Sequence, residues 1–471
     1  MSTPGKRAAL SRHRPLGARK RQPEWRIALH SLTRATPSRI ALGMFTALIV
    51  AFTALLSLPA ATADGVRTSL TDALFTAVSA ICVTGLYTVE TGTHWSTFGL
   101  TVIMIAIKLG GLGLMTVASL LSLSVMHRLG LAQRVITAQE TRAERLAEVG
   151  GVLKVILITS TVFELATFVA LTPYMFITEH GFRESLFLGL FYAISAFNNA
   201  GFVPEAAGTA QYVGDPFFTI PIGLAVLVGS LGFPVILVVV RKLRTPRKWS
   251  VHAKLTLTTT ALLLVIAFLG FLGLEWSNPA TLGDRPLGTK LLGAAFAAVM
   301  PRSGGFSTID VGQLTAESRL LTDLLMFIGG GSGSTAGGIR VTTFALLMLA
   351  IWAEVRGNPD VEVFRRRIPR DTIRQAIGVL VMSASVVFLA TFLLLRMTPY
   401  TLDQTLFEAL SAFGTVGLST GITTALPEEA KWVLILCMYI GRLGPMTLGA
   451  ALAVRTRVRM IHLPYERPIV G

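Results

Sequence analysis

Residues 75–90 read FTAVSAICVTGLYTVE. An apolar stretch of about three helical turns runs into small and polar residues and stops at Gly85, followed by Leu86. Three other segments align with it: FYAISAFNNAGFVPE (191–205), FAAVMPRSGGFSTID (296–310) and FEALSAFGTVGLSTG (407–421). Their matching glycines are Gly201, Gly305 and Gly417, at successive spacings of 116, 104 and 112 residues. A period this even along a whole chain points to fourfold duplication.

Each segment has the same flanks. An apolar run precedes it (40–58, 152–178, 252–275, 375–398) and another follows (97–126, 216–240, 320–352, 431–454). A bilayer core needs about 20 apolar residues per helix. The segment between two runs is too short to cross and too apolar for an exposed loop. It is expected to be re-entrant, helical on the way in and extended on the way back. Asp72, Glu184, Thr289 and Asp403 stand at the starts of the short helices. They are expected to cap them, because free amides and the helix dipole favour oxygen and negative charge.

The expected fold is an all-α polytopic membrane protein. Eight transmembrane helices form four tandem helix–re-entrant pore loop–helix repeats around a central ion pore. The expected boundaries are a basic tail at 1–38, repeats at 39–130, 131–242, 243–356 (second helix broken) and 357–456, and a C-terminal tail at 457–471.

Composition agrees. The 471 residues are 52% hydrophobic and 14% charged, with a mean hydropathy of +0.64. A soluble domain carries about 25% charged residues. The net charge of +16 is clustered: before Ser38, at Arg241–Lys254, at Arg356–Arg374 and at Arg455–Arg467. The intervening connections carry Asp64, Glu90, Glu205 and Asp310. The positive-inside rule puts the clusters and both termini in the cytoplasm, so the glycine segments dip in from outside. The basic charge is thereby assigned to topology and not to nucleic acid. The tail is expected to lack fixed structure and to touch anionic membrane lipid. It is too long for a signal-peptide n-region, so the first helix is expected to be retained. Cys82 and Cys437 lie in apolar surroundings, which excludes a disulfide framework or a Cys-rich metal site.

Non-helical backbone at membrane depth survives only where it is buried in protein or lines a wet cavity. Four such segments around one axis make a ring of carbonyls that can replace the water shell of a monovalent cation. Glycine permits this because it accepts positive φ. The candidate filter is Cys82, Val83, Thr84, Gly85; Asn198, Asn199, Ala200, Gly201; Arg302, Ser303, Gly304, Gly305; and Gly414, Thr415, Val416, Gly417. The cation would be held by carbonyls near Thr84, Gly85, Ala200, Gly201, Gly304, Gly305, Val416 and Gly417. The chain itself needs no cofactor for this.

GGGSGSTAGGIR (329–340) supplies the best case for an enzyme. Gly331, Gly333 and Ala336 read as G-x-G-x-x-A, and Glu354 follows 18 residues after Ala336, near the spacing of a ribose-binding acid. That fingerprint needs a preceding strand and a βαβ unit. Here the flanks are two halves of an apolar helix, and neither a Walker A lysine nor HExxH occurs. The stretch is expected to interrupt a pore-lining helix instead. An ion-coupled secondary carrier with a midplane site between broken helices is the alternative.

SAICVTGL, SAFNNAGF, PRSGGF and SAFGTVGLS resemble the four filter segments of the Trk/Ktr/HKT superfamily of potassium transporters. KLGGLGLMT (108–116), GSTAGGIR (333–340) and GRLGPMTL (441–448) resemble motifs on that family's second helices. The resemblance covers about residues 40–455. Without the extra N-terminal helix pair of some members, the chain resembles the bacterial KtrB-type membrane subunits. The resemblance implies potassium uptake through the plasma membrane, with potassium bound in the filter and sodium as activator or coupled ion. In the family, serine at the first filter glycine accompanies sodium permeation; this chain has glycine at all four positions. The family's arginine matching Arg442 lies below the filter, close to the broken-helix loop. The implied gate is Gly329, Gly330, Gly331, Ser332, Gly333, Ser334, Thr335, Ala336, Gly337 and Gly338, with Arg442 as its partner.

Three residues depart from the family's pattern: Ser332 where proline is usual, Lys108 where an uncharged polar residue is usual, and Gly304 where alanine is common. Arg302 is expected to brace the filter backbone. Glu164 is expected to pair with a basic residue, a coupling-ion site being the second reading. The resemblance also implies a homodimer with one pore per protomer and a cytosolic nucleotide-binding ring of RCK-type regulatory subunits. QETRAERLAEV (139–149) and the basic loops would offer such a ring its docking surface.

Overall fold

The computed structural model describes residues 37–113, 142–178 and 181–444. The basic tail to residue 36, residues 139–141 and the C-terminal tail lie outside them, as do the ends of the runs 97–126 and 431–454. Within them the chain is mostly helical: α1 (Pro37–Leu56), α2 (Leu70–Ile81), α3 (Thr97–Gly111), α4 (Arg142–Ile177), α5 (Phe182–Phe197), α6 (Pro216–Leu231), α7 (Phe233–Arg241), α8 (Val251–Leu274), α9 (Leu287–Val299), α10 (Ala316–Phe327), α11 (Val341–Val355), α12 (Arg370–Met397), α13 (Leu402–Gly414) and α14 (Glu428–Leu443). One departure from an all-helical chain is a small hairpin, β1 (Glu362–Val363) with β2 (Arg366–Arg367). Phe364 and Arg365 turn it with φ of 48° and 63°, the left-handed pair that a two-residue hairpin requires.

Among the described residues, three helical stretches are long and apolar enough to cross a bilayer: Ile156–Ile177, Val251–Leu274 and Arg370–Met397. Their outward faces are apolar too; Phe388, Leu389 and Phe392 on α12 are exposed. In water such a face would drive association, and in lipid it needs no partner. The chain is a multi-pass membrane protein.

The run 216–240 is not one straight span. α6 and α7 meet at a bend of 99°. Gly232 takes φ 95° and Pro234 follows, so the helical bonding cannot continue through the corner. The Phe233 amide instead donates to the Gly333 carbonyl at 3.2 Å. The run 320–352 is broken as expected, with α10 and α11 separated by residues 328–340.

The short helices α2, α5, α9 and α13 sit between the longer ones. Their aligned aromatics Phe75, Phe191, Phe296 and Phe407 are all buried. So are the residues after the aligned glycines, Leu86, Phe202, Phe306 and Leu418. These two apolar anchors explain the recurring F…G-[LF] pattern, since each turn is pinned at both ends by a buried side chain.

The expected caps are wrong by about one turn. Ser69 accepts from the Asp72 amide and caps α2, and Thr401 with Gln404 forms a capping box on α13. Gly181 and Pro286 hold the cap positions of α5 and α9 without a side-chain bond. Asp72, Glu184 and Asp403 occupy the first turns, where the dipole favours them without capping, and Thr289 stands inside α9. Asp72 is further held by Lys431 of α14 at 2.7 Å.

Candidate ion-conducting site

Each short helix ends in the same way. A non-glycine residue enters the left-handed region: Val83 (φ 56°), Asn199 (61°), Ser303 (75°) and Thr415 (47°). The next amide reaches back to the last helical turn: Thr84 to the Ser79 carbonyl (2.7 Å), Ala200 to Ser195 (2.8 Å), Gly304 to Met300 (2.7 Å) and Val416 to Ser411 (2.9 Å). This resembles a helix-ending motif that normally uses glycine. Branched Val83 and Thr415 are strained there. One residue later φ is positive again, at Gly85 (93°), Gly201 (66°), Gly305 (75°) and Gly417 (95°).

The four turns touch in a closed order. A Cβ on Gly85 would strike the Ala200 carbonyl, and one on Gly201 would strike Gly305. On Gly305 it would strike the Val416 carbonyl, and on Gly417 the Thr84 carbonyl. All four glycines line a single open cavity of about 480 Å³, together with Glu90, Glu205 and Asp310. Of the sixteen candidate filter residues, the four glycines line this cavity and the backbone of Thr84, Ala200, Gly304 and Val416 lies at the contacts between turns. The carboxylates put negative potential where a cation would arrive.

Below this ring lies the loop 328–340. The Gly331 amide donates to the Ser230 carbonyl (2.8 Å) and the Thr335 hydroxyl to the Gly229 carbonyl (3.0 Å). The Gly337 amide reaches the Ser303 hydroxyl at 3.4 Å, and that hydroxyl donates to the Thr415 carbonyl at 2.6 Å. Arg442 is buried and donates to the Thr335 carbonyl, and through Nη2 to the Gly110 carbonyl at 2.6 Å. Loop and Arg442 are thus in contact, under the third and fourth turns.

The sequence pattern of the family described as TrkH, cation transport protein, matches residues 27–457. The chain belongs to this family. It is 41% identical to "Ktr system potassium uptake protein B" of Bacillus subtilis, over 93% of this chain and 97% of that one. It is 37% identical to the protein of the same name in Vibrio alginolyticus, over 92% and 94%. It is 35% identical to "Potassium/sodium uptake protein NtpJ" of Enterococcus hirae, over 90% and 94%. The fold is similar to that of the crystal structure of the potassium transporter TrkH from Vibrio parahaemolyticus. The TM-score is 0.65 at 19% identity, covering 88% of this chain and 85% of that one.

Arg302 of this TrkH-family chain does not brace the backbone of its candidate filter turn. Its Nη2 donates to Thr260 on α8 at 3.2 Å, and its Nε and Nη1 meet no acceptor among the described residues. It is buried at the C-terminal end of α9, where the helix dipole favours a cation. Glu164 does pair with a basic residue: Lys108 Nζ stands 2.6 Å from its Oε2.

Three features were missed in the sequence. Buried Glu408 accepts from Ser419 (2.7 Å), the Thr420 amide (2.9 Å) and Thr423 (2.6 Å), holding the return segment of the fourth turn. Its signal was an acid in the apolar middle of a short helix. Arg340 closes the loop on itself through the Ala336 carbonyl. Finally, Gly113, Gly232, Gly333 and Gly444 all take positive φ (79°, 95°, 75° and 81°), each three residues after Gly110, Gly229, Gly330 or Gly441. The repeated G-x-x-G was legible in the sequence.

Proposed function

We propose that this protein takes up potassium across the plasma membrane through a channel-like pore. The four glycine turns form its carbonyl selectivity filter, and residues 329–338 with Arg442 form its gate. The carrying observation is the closed contact order of Gly85, Gly201, Gly305 and Gly417 around one open cavity. Successive φ signs alternate along each turn, which turns neighbouring carbonyls toward the same side. The short helices end at the turns, so their negative ends favour a cation beside the filter. The names of the 41% and 37% identical relatives support potassium as the ion, and that of the 35% identical relative leaves room for sodium.

In this reading four repeats supply eight spans around the pore, with both termini cytoplasmic. The chain works as a homodimer with a cytosolic nucleotide-binding ring, and "Ktr system" in the relatives' names supports further subunits. The test is growth at low potassium of cells lacking potassium uptake, expressing wild type, Gly85→Ser or Gly417→Ser with the cytosolic partner. Wild type should rescue, and each serine variant should lose about tenfold or more of its preference for potassium over sodium. A wild type that cannot rescue, or serine variants of full selectivity, defeats the filter assignment. The bend at Gly232 and the break at 328–340 are also what a carrier with broken helices would need. Strict coupling to a second ion would decide for that carrier.

A further inference from the structure

Lys108 and Glu164 lie far apart in sequence and in no recognised filter motif, yet their contacts lead to the filter. Lys108 closes the last turn of α3, and Ser160 and Glu164 lie one turn apart on α4. Lys108 Nζ donates to Ser160 Oγ and to Glu164 Oε2, both at 2.6 Å. Ser160 Oγ donates to Glu164 Oε1 at 3.0 Å. The same Oε1 accepts from Asn198 Nδ2 at 2.8 Å. Asn198 caps the C-terminus of α5 and directly precedes the left-handed Asn199. Its side chain is wedged against Gly111, where a Cβ would strike it.

We propose that Glu164 is a positioning residue for the second filter segment, with Lys108 as its counter-charge. One carboxylate does two things. Oε1 fixes Asn198, and with it the turn that presents Ala200 and Gly201. Oε2 neutralises an ammonium whose side chain is still 26% exposed. Unpaired in a membrane protein near a cation path, that ammonium would repel the conducted ion. The arrangement has a counterpart: Arg302, which aligns with Asn198, likewise points to the first helix of its own segment, at Thr260. In the second segment the first helix supplies a carboxylate, and in the third only a hydroxyl.

The inference rests on the proposed potassium pore, and the test separates the two. Rubidium uptake and the potassium-to-sodium preference are measured in cells for wild type, Glu164→Gln, the pair Lys108→Met/Glu164→Gln and the pair Lys108→Met/Glu164→Leu. Membrane protein level is followed for each. Wild-type uptake without selectivity, or none, is a failure of the pore reading itself. Glu164→Gln keeps an acceptor for Asn198 but frees the ammonium, and uptake should fall about tenfold or more. Lys108→Met/Glu164→Gln should regain most of that loss with normal selectivity. Lys108→Met/Glu164→Leu removes the acceptor, so it should conduct but lose about tenfold in selectivity. Full uptake by Glu164→Gln, or full selectivity in the leucine pair, overturns the proposal. A merely structural role would lower protein level and uptake together while leaving selectivity unchanged, which would overturn it as well.

Discussion

In the first and fourth candidate filter turns a serine hydroxyl of the turn's own helix braces the glycine, and in the third the serine hydroxyl goes to its neighbours instead. Ser79 and Ser411 lie in the last turn of α2 and α13, and their hydroxyls accept from the Gly85 amide (3.0 Å) and the Gly417 amide (3.1 Å). The third segment has Met300 at that position, so no such hydroxyl exists. Its Ser303 hydroxyl instead bridges the Thr415 carbonyl of the fourth turn and the Gly337 amide of the loop below. The contrast separates two jobs. In the proposed pore, the hydroxyl-braced turns would keep the filter's shape whatever the loop does, while the third turn would couple the loop's position to the filter.

The largest effect that could break this comparison is removal of the loop. Deleting Gly331–Thr335 takes away the contacts to Ser230, Gly229 and Arg442. Resting rubidium uptake should rise about tenfold or more, a shift of about 1.4 kcal/mol in the gate equilibrium. A folded deletion variant that stays closed would refute the gate. Next, Arg442→Ala removes the charge that grips Thr335 and Gly110. Flux should rise several-fold with the potassium preference intact, and unchanged uptake kinetics would remove Arg442 from the gate.

A sharper test pairs Ser303→Ala with Ser411→Ala. Each loses about 1 kcal/mol of hydrogen bonding, but the readouts should differ. Ser303→Ala should raise resting flux, and Ser411→Ala should weaken selectivity and leave resting flux alone. Identical phenotypes would erase the distinction between the turns. The smallest effect lies away from the pore. Glu275 follows α8; burial alone would raise its pKa, but hydrogen bonds from Ser318, Thr281, the Thr315 amide and Asn278 outweigh that and lower it. Its stabilisation is present above the ordinary glutamate value of about 4.3 and is lost as pH falls through the lower folded value. Glu275→Gln should therefore lower the melting temperature by about 2 °C at pH 7. The gap to wild type should close in strong acid, as read by thermal unfolding in detergent.

The four turns were legible because their signal is local: a buried aromatic, then glycine nine or ten residues on, before another apolar anchor. The break at 328–340 was legible because six glycines in an apolar run have no helical use. The corner at Gly232 was passed over because a single L-G-F-P in an otherwise apolar run changes its composition very little. The caps were misplaced because acids in a first helical turn and true cap residues answer to the same dipole. Side-chain direction was the harder loss. Nothing in the local sequence distinguishes Arg302 turning to Thr260 from Arg302 gripping its own turn, since that depends on which helix packs behind it. The cyclic contact order of the glycines likewise exists only once the helices are assembled.

Val83 and Thr415 sit in a backbone region that a branched side chain occupies at a cost of about 1–3 kcal/mol each. Glycine at either position would relieve that cost, so selection for heat resistance alone should favour glycine at residues 83 and 415. The variants it recovered would be hardier, and in the proposed pore they would be looser at the filter. In that pore, a breeder who screened only for survival of the fold would discard discrimination between ions without noticing.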